Sequence, residues 1–498
     1  MKDEATRSLK REQWHDLARK LDWGFSYVDA KDVFPEAMSG TPWLSHQDWA
    51  DWDEPYRTSY TEYVSSQVAK EASVNAVREA IGRPEDFARL ERPWLSALKL
   101  HSATLPLAEF AAAIGNLRAA RFGRDSAWRT TAAFGAMDEF RHTQIPLLLM
   151  HGLLPWDPQF DWTHKFFHSE NWVAVAGRHL ADELLLCANP IEFAVGTNFV
   201  FETGFTNLQF IGLSSLARNT GDRMFENMVN SIQTDEARHA QIGKPVLATL
   251  VKHDPEYAQY LVDKWFWRSW HFFAVVTGFA MDYLTPVRDR TASFKEFMQE
   301  WVLGQFQASL EEMGLKRPWY WDTFLASLDN YHHMVYASAY TYRATVWFDM
   351  VVPGPEERAW LREKYPDSWP EFEPIWDRIS ERWKEVGPEV EWHTHGATPV
   401  GFCALCQMVL CEGAPGNNHA RVIRRGTDAH IFCSEPCQWL FEKEPDRYEG
   451  HKDVVKRILA GEAPANLLQL LRHFGLSPGD WGRDAHRGHY PWAKREAG

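Results

Sequence analysis

The spacing of hydrophobic and polar positions divides the 498-residue chain into four parts. In residues 1–92, prolines and glycines interrupt short amphipathic stretches, which predicts an arm that wraps around the rest of the protein. In residues 93–350, apolar positions recur with helical periodicity over long segments, and we expect one α-helical domain. The pattern predicts a helical connector and a linker for residues 351–398, and a cysteine-rich module with a helical tail for residues 399–498.

Two acidic residues lie alone inside apolar runs of the predicted helical domain. Glu109 is surrounded by leucine, proline, alanine and phenylalanine, and Glu202 by phenylalanine, valine and glycine. An ionised carboxylate buried without a partner is strongly unfavourable, so we expect a cation beside each of them. The alternative is that both are surface acids.

The pentapeptide Asp-Glu-x-Arg-His occurs twice, at residues 138–142 and 235–239. On a helix, a Glu and a His three residues apart lie on one face, so each copy offers a carboxylate and an imidazole to the same point. A single Glu-x-x-His is weak support for a metal site. Two copies that share four residues indicate an internal duplication.

The distances along the chain predict two helical hairpins. Glu109 precedes Glu139 by 30 residues, and Glu202 precedes Glu236 by 34 residues. At about 1.5 Å of rise per residue, each interval fits two antiparallel arms of about four turns. Each hairpin then brings its two acidic positions to the same depth.

Together these residues form a pattern typical of ferritin-like carboxylate proteins, in which two helices each give a Glu and two others each give a Glu-x-x-His. The expected fold is mainly α, with a ferritin-like four-helix-bundle core that holds two metal ions, added helices and a small C-terminal zinc-type module. Oxygen and nitrogen ligands without thiolates suit iron or manganese. The alternative for the histidines is an ordinary place in the core. The predicted ligands are Glu109, Glu139, His142, Glu202, Glu236 and His239.

Two aspartates next to the predicted ligands are expected to orient the histidines. Asp138 and Asp235 each precede a ligand Glu by one residue, so they face a neighbouring helix rather than the metals. Metal-bound imidazole usually donates its other N–H to a carboxylate. We therefore expect Asp138 to accept a hydrogen bond from His239, and Asp235 to accept one from His142.

Two arginines and two prolines complete the surroundings of the site. Arg141 and Arg238 follow the aspartates by three residues and are expected to hold them by ion pairs, the alternative being ordinary surface pairs. Pro106 and Pro146 lie close to predicted ligands, and we expect each to kink or end its helix.

Composition and charge narrow the possible partners. The formal net charge is −15 and the chain has no basic tract, which argues against partners such as nucleic acid or an anionic membrane. No apolar run is long enough to span a membrane and the N-terminus has no apolar signal core, so we expect a cytoplasmic protein. The 25 Trp and 30 Phe residues favour a large core and extensive subunit interfaces.

The cysteines mark the C-terminal module, because five of the six lie between Cys403 and Cys437. Cys403 and Cys406 form one close pair and Cys433 and Cys437 another, which is typical of a tetrahedral structural zinc site. Free thiols or a disulfide are the alternative. Residues that could replace one of the four are His393, His395, His430 and Cys411. The segments around the cysteines resemble small YHS/TRASH-type metal modules, and we assign them a structural role.

The helical domain resembles the large subunit of the soluble bacterial multicomponent monooxygenases, in particular the four-component toluene and alkene branch. The segments that carry the resemblance are residues 53–56, 201–210, 231–239, 293–298 and 316–321. They spread the resemblance over nearly the whole chain. It implies the α subunit of a diiron hydroxylase.

By this resemblance both metals are iron, and each ion has three of the ligands. The two sets are Glu109, Glu139 and His142, and Glu202, Glu236 and His239. Glu139 and Glu236 are expected to bridge the ions or to shift between oxidation states.

The resemblance also assigns roles to three polar residues. Thr206 follows Glu202 by four residues and is expected to face the cavity and assist proton delivery to dioxygen. Its alternative is a hydroxyl bonded back to its own helix. Asn207 and Gln233 match family positions with roles in gating and in the response to an effector protein.

An apolar substrate cavity is expected one or two helical turns from the ligands. Its predicted lining residues are Leu105, Ala108, Ala112, Ala181, Phe201, Phe205 and Phe210. In the toluene enzymes we expect an aromatic residue at the position of Ala181 and a small residue or glycine at that of Ala108. The choice between an alkene and an aromatic ring therefore stays open.

The implied reaction is reductive activation of dioxygen, with one oxygen atom entering the substrate and the other leaving as water. The sequence has no nucleotide-binding glycine motif, flavin site or iron–sulfur cysteine set, so electrons must come from other proteins. By the resemblance these are a Rieske-type ferredoxin and an NADH-dependent flavin reductase. A small effector protein and β and γ subunits, in a dimer of heterotrimers, complete the expected assembly.

Three other functions use a similar bundle. A phenol hydroxylase-type subunit is the nearest alternative, and an iron-storage protein is a more distant one, although storage chains are shorter. A ribonucleotide reductase subunit has a tyrosine one turn after its first ligand histidine, where this chain has Pro146.

Overall fold

The described chain is built mainly from α-helices. In the computed structural model, the described residues are 10–21, 26–40, 44–53, 57–157, 160, 172–341, 348–387, 401–408, 420–449, 457 and 460–462. The linker predicted before residue 399 and most of the predicted C-terminal tail lie outside these ranges. Within the described ranges, no helix combines the length and the apolar character needed to cross a membrane.

The N-terminal region contains one long helix among short ones. Its elements are α1 (Arg11–Arg19), α2 (Ala30–Val33), α3 (Pro35–Met38), a 3₁₀ turn (His46–Trp49), α4 (Tyr60–Ile81) and α5 (Pro84–Phe87). Ser59 caps α4, because its hydroxyl accepts from the N–H of Glu62 while the Glu62 carboxylate accepts from the N–H of Ser59. The hydrophobic pattern indicated only short stretches in this region, so the length of α4 is a new finding.

The first predicted hairpin consists of two long helices, α6 (Arg92–Phe122) and α7 (Ser126–Leu153), which pack against each other. Asp125 begins α7, since its carboxylate accepts hydrogen bonds from the N–H groups of Ala127 and Trp128 at 2.7 and 3.4 Å. The short connection forces the two helices to run antiparallel. The hairpin predicted from the spacing of Glu residues is therefore present.

The second hairpin is less regular than the first. Its elements are α8 (Trp172–Leu185), α9 (Pro190–Phe193), a π-helix (Ala194–Thr206), α10 (Asn207–Thr220) and α11 (Arg223–His253). Gly221, with φ of +86°, ends α10 in the left-handed conformation that glycine adopts without strain. Asp222 then caps α11 by accepting a hydrogen bond from the N–H of Phe225 at 2.9 Å.

The helical distortion beside the site is the π-helix rather than a break at proline. Pro106 and Pro146 lie inside α6 and α7, and both helices continue past them. The expectation that a proline ends either helix is wrong, because each proline removes one backbone hydrogen bond and the buried helices keep all their other contacts. The π-helix carries Glu202, and its wider turn changes the directions of the residues that follow.

The π-helix and α11 approach so closely that only glycine fits between them. A Cβ atom on Gly243 would lie 2.4 Å from the backbone nitrogen of Phe199 and 2.6 Å from the carbonyl carbon of Asn198. Gly243 lies one turn after His239 on α11. This contact therefore fixes the distance between two ligand-bearing elements.

Helix α12 (Pro255–Asp282) packs against the π-helix and α11 and is buried on almost every side. The elements that follow it are a 3₁₀ turn (Val287–Asp289), α13 (Phe294–Phe297), a second π-helix (Met298–Leu303), α14 (Gly304–Glu312), α15 (Trp321–Ser327), α16 (Tyr331–Thr341), α17 (Pro355–Lys364) and α18 (Trp369–Val386). Of these, α13 and α16 pack against α12, and α14 packs against the π-helix.

The C-terminal module docks onto α12. Its elements are β1 (Arg421–Arg425), β2 (Asp428–Phe432), α19 (Glu435–Lys443) and α20 (Pro445–Tyr448), and the strands pair antiparallel. The ammonium of Lys264 on α12 lies 2.7 Å from Glu192 and 2.6 Å from Glu444. Because all three groups are buried or nearly so, the pairing ties the module to the helical domain.

We expect Gly243→Ala to lower the stability of the protein by about 1–3 kcal/mol, because the added methyl group meets the backbone of Phe199 and not a flexible side chain. Thermal unfolding of the variant would measure the loss. Gly152→Ala is the matched control, since Gly152 is exposed on α7 and has nothing within 4 Å of the added methyl group. Equal stability of the two variants would contradict the tight contact.

Candidate metal centre

The six predicted ligands meet in the centre of the bundle and are all buried. Their ligand atoms form two groups, and within each group all atoms lie within 4.8 Å of one another. The groups are Glu109, Glu139, His142 and Glu236, and Glu139, Glu202, Glu236 and His239. The two hairpins therefore bring every one of these residues to one place.

Glu139 and Glu236 belong to both groups. One carboxylate oxygen of Glu139 lies 3.3 Å from Nδ1 of His142, and its other oxygen lies 3.0 Å from Nδ1 of His239. The two oxygens of Glu236 lie 3.1 and 3.6 Å from the same nitrogens. Each carboxylate thus turns one oxygen toward each histidine, as a bridge between two cations requires.

The charges in this place are unfavourable without a cation. Burial raises the pKa values of Glu109 and Glu202 well above the ordinary carboxylate range. Oε1 of Glu139 and Nδ1 of His239 are both buried and face each other without a hydrogen bond. Four carboxylates and two imidazole nitrogens directed at one volume fit a pair of oxygen-preferring metal ions.

The two aspartates contact the histidines in the crossed arrangement expected from the sequence. Nε2 of His239 lies 3.0 Å from Asp138, and Nε2 of His142 lies 3.2 Å from Asp235. A carboxylate only accepts, so each Nε2 carries a proton, and each Nδ1 is left for the ligand set, where a bound metal would take its lone pair. The aspartates thereby fix the tautomer of both rings.

The expected ion pair of Arg238 with Asp235 is present, whereas that of Arg141 with Asp138 is not. Arg141 contacts Asp235 on the opposite helix at 2.9 Å, and not Asp138 on its own helix. The expected pairing within α7 is wrong because Asp138 is turned toward α11. Arg238 contacts both Asp138 and Asp235, the latter at 2.9 Å. The two aspartates and two arginines therefore form one network across the hairpins.

Helix α4 adds residues to this network that sequence reasoning missed. The Gln67 amide donates to Asp138 at 2.7 Å and to Asp235 at 3.0 Å, and the Lys70 ammonium contacts Asp235. Tyr63 also hydrogen-bonds Asp138, and burial raises the pKa of this tyrosine. A polar stripe at helical spacing over residues 63–70 was the available signal, but it did not show which helix faced it.

Three further polar residues lie near the end of the π-helix. The Thr206 hydroxyl donates to the carbonyl oxygens of Phe201 and Glu202, both at 3.3 Å, and the residue also lines the cavity described below. The Gln233 amide donates to the carbonyl oxygen of Asn207 at 3.5 Å. Asn207 and Gln233 thus join α10 to α11 beside the site.

An apolar cavity adjoins the ligands Glu109, Glu202 and Glu236. Six of the seven predicted pocket residues line it, namely Leu105, Ala108, Ala112, Ala181, Phe201 and Phe210. The prediction for Phe205 is wrong, because its ring packs against Phe266 and Phe273 on α12, at 5.2 Å from each ring centre. The π-helical turn directs this residue away from the cavity.

Other lining residues lie on the ligand-bearing elements and their neighbours, and Phe272 and Val276 come from α12, which the sequence did not connect with the site. The apolar ones include Leu107, Leu180, Leu184, Leu213, Phe225, Val229, Phe272 and Val276. The polar ones are His101, Thr104, Thr197, Thr206 and Gln209. Helical spacing gave each of them a buried face, but only the folded chain shows which buried face borders the cavity.

The four predicted cysteines form a second, separate cluster. The sulfur of Cys433 lies 3.8 Å from that of Cys406 and 3.4 Å from that of Cys437. Burial opposes ionisation of Cys403, yet hydrogen bonds from the other three thiols hold its pKa well below the ordinary range. Gln407, with φ of +58°, makes the tight turn after Cys406. Four convergent sulfurs fit a soft cation such as zinc.

Of the residues that could replace one of the four cysteines, only His430 lies within the described residues. His430 packs its ring against Phe441, with 4.9 Å between the ring centres. His393, His395 and Cys411 lie outside the described residues.

His271 joins the cysteine cluster from α12 and was missed by sequence reasoning. One of its ring nitrogens lies within 4.8 Å of the sulfurs of Cys406, Cys433 and Cys437. Both ring nitrogens are buried and lack a hydrogen-bond partner within the described part of the chain. One turn earlier, the Trp267 indole donates to the Cys437 sulfur at 3.2 Å. The cysteine site is thus built against α12 of the helical domain.

Comparison with known proteins agrees with this geometry. Residues 23–254 match the family Methane/Phenol/Alkene Hydroxylase. The chain is 39% identical to the oxygenase component α subunit of the alkene monooxygenase system of Xanthobacter autotrophicus, and the similarity covers 97% of each protein. It is 28% identical to the oxygenase component of phenol 2-monooxygenase of Pseudomonas sp. strain CF600, over 89% of this chain and 86% of that protein.

The fold is that of a known oxygenase. The structure of xenon-pressurized phenol hydroxylase from Pseudomonas sp. OX1 superposes with a TM-score of 0.80 at 24% identity, over 98% of this chain and 99% of that one. This confirms the predicted helical fold class. The chain therefore belongs to the Methane/Phenol/Alkene Hydroxylase family, as the α subunit of the oxygenase component of a diiron multicomponent monooxygenase.

Proposed function

We propose that this subunit holds two iron ions between its hairpins and uses them to insert one oxygen atom of dioxygen into small apolar hydrocarbons. The observation that carries the proposal is the pair of ligand groups that share Glu139 and Glu236. The residues proposed to bind iron are Glu109, Glu139, His142, Glu202, Glu236 and His239. When bound, the iron pair supplies the electrons that activate dioxygen.

The protein's own residues prepare this chemistry. Asp138 and Asp235 hold the protonated Nε2 atoms of the two histidines, so that both Nδ1 atoms face the ligand carboxylates, where they would bind the metals. Thr206 lines the cavity, and its hydroxyl is held by the carbonyl oxygen of Glu202. We assign Thr206 the transfer of a proton at the cavity wall. We also assign Asn207 and Gln233 the response to an effector protein.

The lining of the cavity suits small apolar substrates. It is lined mainly by leucine, alanine and phenylalanine side chains and reaches the carboxylates at one end. Alkenes and aromatic hydrocarbons fit such a lining, because neither needs a hydrogen-bonding partner. Epoxidation of an alkene and hydroxylation of an aromatic ring are both included in the proposal, with a phenol hydroxylase-type activity as its alternative.

The electrons and the remaining subunits come from other proteins. We propose a Rieske-type ferredoxin, an NADH-dependent flavin reductase, a small effector protein, and β and γ subunits in a dimer of heterotrimers, acting in the cytoplasm. Phe110, Ile114 and Leu117 form an exposed apolar row on α6, and Met137 and Leu148 are exposed on α7. An exposed row of this kind suits contact with a neighbouring subunit.

We further propose that Cys403, Cys406, Cys433 and Cys437 bind a structural zinc ion. The module with these cysteines is then a separate metal-stabilised unit, next to an N-terminal arm up to residue 92, a catalytic domain over residues 93–350 and a connector up to residue 398.

The proposed function is tested by elemental analysis and by oxidation assays on the protein co-expressed with its neighbouring subunits. We expect about two irons and one zinc per chain, and oxidation of propene or benzene when the electron-transfer proteins and NADH are added. Glu236→Ala should abolish turnover and reduce iron content, because Glu236 belongs to both ligand groups. Normal turnover in this variant would reject the assignment.

We expect Asp138→Asn to weaken iron binding by about 10- to 100-fold, since His239 loses the carboxylate that fixes its tautomer. Iron retention during dialysis against a chelator would measure the change. Glu71→Gln is the matched control, because Glu71 contacts Arg141 at 2.6 Å but is half exposed and touches neither histidine. Equal iron loss from both variants would mean that the network as a whole, and not the His239 contact, retains iron.

Cys433→Ser should remove zinc and lower stability while leaving the iron spectrum largely unchanged, because the cysteine cluster is separate from the carboxylate groups. Zinc content, thermal unfolding and the absorption spectrum of the iron centre would be compared with the wild type. A lost iron spectrum with intact zinc would contradict the division of roles.

A further inference from the structure

His101 borders the apolar cavity and carries a ring nitrogen that is unpaired among the described residues. His101 on α6 is 3% exposed, and its ring lines the cavity on the same helix as Leu105 and Glu109. Its Nε2 atom is buried and lacks a hydrogen-bond partner among the described residues. An unpaired buried acceptor is costly, so its presence in a binding cavity points to a ligand that pairs with it.

The surroundings fix His101 as a hydrogen-bond acceptor. Its Nδ1 atom lies 2.8 Å from the carbonyl oxygen of Ala97. Since a carbonyl oxygen only accepts, Nδ1 carries the proton and Nε2 carries the lone pair. Burial lowers the pKa of His101 to about 4, so the ring is neutral near pH 7. Phe225 packs against the ring, with 5.8 Å between the ring centres, and limits its rotation.

The position of His101 gives the cavity two different ends. His101, Leu105 and Glu109 are spaced by four residues and therefore lie along one face of α6. The eight residues from His101 to Glu109 correspond to about 12 Å along the helix axis. Leu105 and Ala108 line the wall between them. A ligand in the cavity thus has carboxylates at one end and a neutral acceptor at the other.

We propose that His101 binds the hydroxyl group of a small ligand such as a phenol or an alkenol, and that this contact favours hydroxylated ligands over the parent hydrocarbons. The proposal rests on the proposed function, because it concerns the same cavity. Nε2 accepts from an O–H group but offers nothing to an epoxide, ether or ketone oxygen, which only accept. The apolar part of the ligand lies against Leu105 and Ala108, toward Glu109.

The test measures ligand binding to the assembled oxygenase without electron donors, so that no turnover is needed. Phenol and benzene form a matched pair because they differ by one hydroxyl group. In His101→Phe, we expect the Kd of phenol to rise about fivefold, which corresponds to about 1 kcal/mol, and the Kd of benzene to change less than twofold. His101→Asn keeps an acceptor oxygen and should retain part of the phenol preference.

Thr197→Val is the matched control for cavity polarity. The Thr197 hydroxyl also lines the cavity, is buried and lacks a partner within the described ranges. This variant should leave the ratio of the two Kd values unchanged. An equal weakening of phenol and benzene in His101→Phe would overturn the proposal, and so would the same loss of phenol preference in Thr197→Val.

Two further measurements distinguish failure of the His101 proposal from misfolding of a variant and from failure of the proposed function. Iron content equal to that of the wild type shows that each variant has folded and assembled, and His101→Asn provides a second variant if His101→Phe does not fold. Oxidation of benzene by the wild-type system tests the proposed function separately. If the wild type oxidises no hydrocarbon, the proposed function fails, while the binding ratio still decides whether His101 recognises a hydroxyl group.

Discussion

The burial of four carboxylates at one point in a helical bundle is the constraint on which the rest of the structure depends. Burial alone raises the pKa values of Glu109 and Glu202, and two more acids, Asp138 and Asp235, lie just beyond the histidines. Without compensation, six clustered acids would favour separation of the hairpins. Arg141, Arg238 and Lys70 offset the outer pair, and cations bound at the ligand groups would offset the inner four.

Helix α12 connects the cavity with the cysteine cluster of the C-terminal module. Phe272 and Val276 border the cavity, while Trp267 and His271 lie at the cysteine cluster. Lys264 adds a buried ion pair to Glu444 of the C-terminal module. Neighbouring residues 271 and 272 thus serve two sites, because a helix buried all round presents a different face to each. The C-terminal module thus packs on the helix that also borders the cavity.

The sequence predicted the features of the site that depend on one helix alone. It did not predict the contacts that depend on which helices pack against each other. Glu and His at i and i+3 share a face in any α-helix, so the ligands and both hairpins could be predicted. The contact of Arg141 with Asp235, the contribution of α4 and the place of His271 depend on packing between distant segments. Phe205 was misplaced for another reason, since periodicity of 3.6 residues does not hold in a π-helix.

The two sides of the candidate metal centre have opposite character. On the side of α4, Gln67, Lys70 and the arginines close the site with a dense set of ion pairs. On the other side, Glu202 has Asn198 as a hydrogen-bond partner at 2.9 Å and borders the apolar cavity. An apolar substrate gains nothing from the charged side and would have to break ion pairs to enter there. The side bordered by the π-helix and by His101 on α6 is therefore the one that suits an apolar substrate.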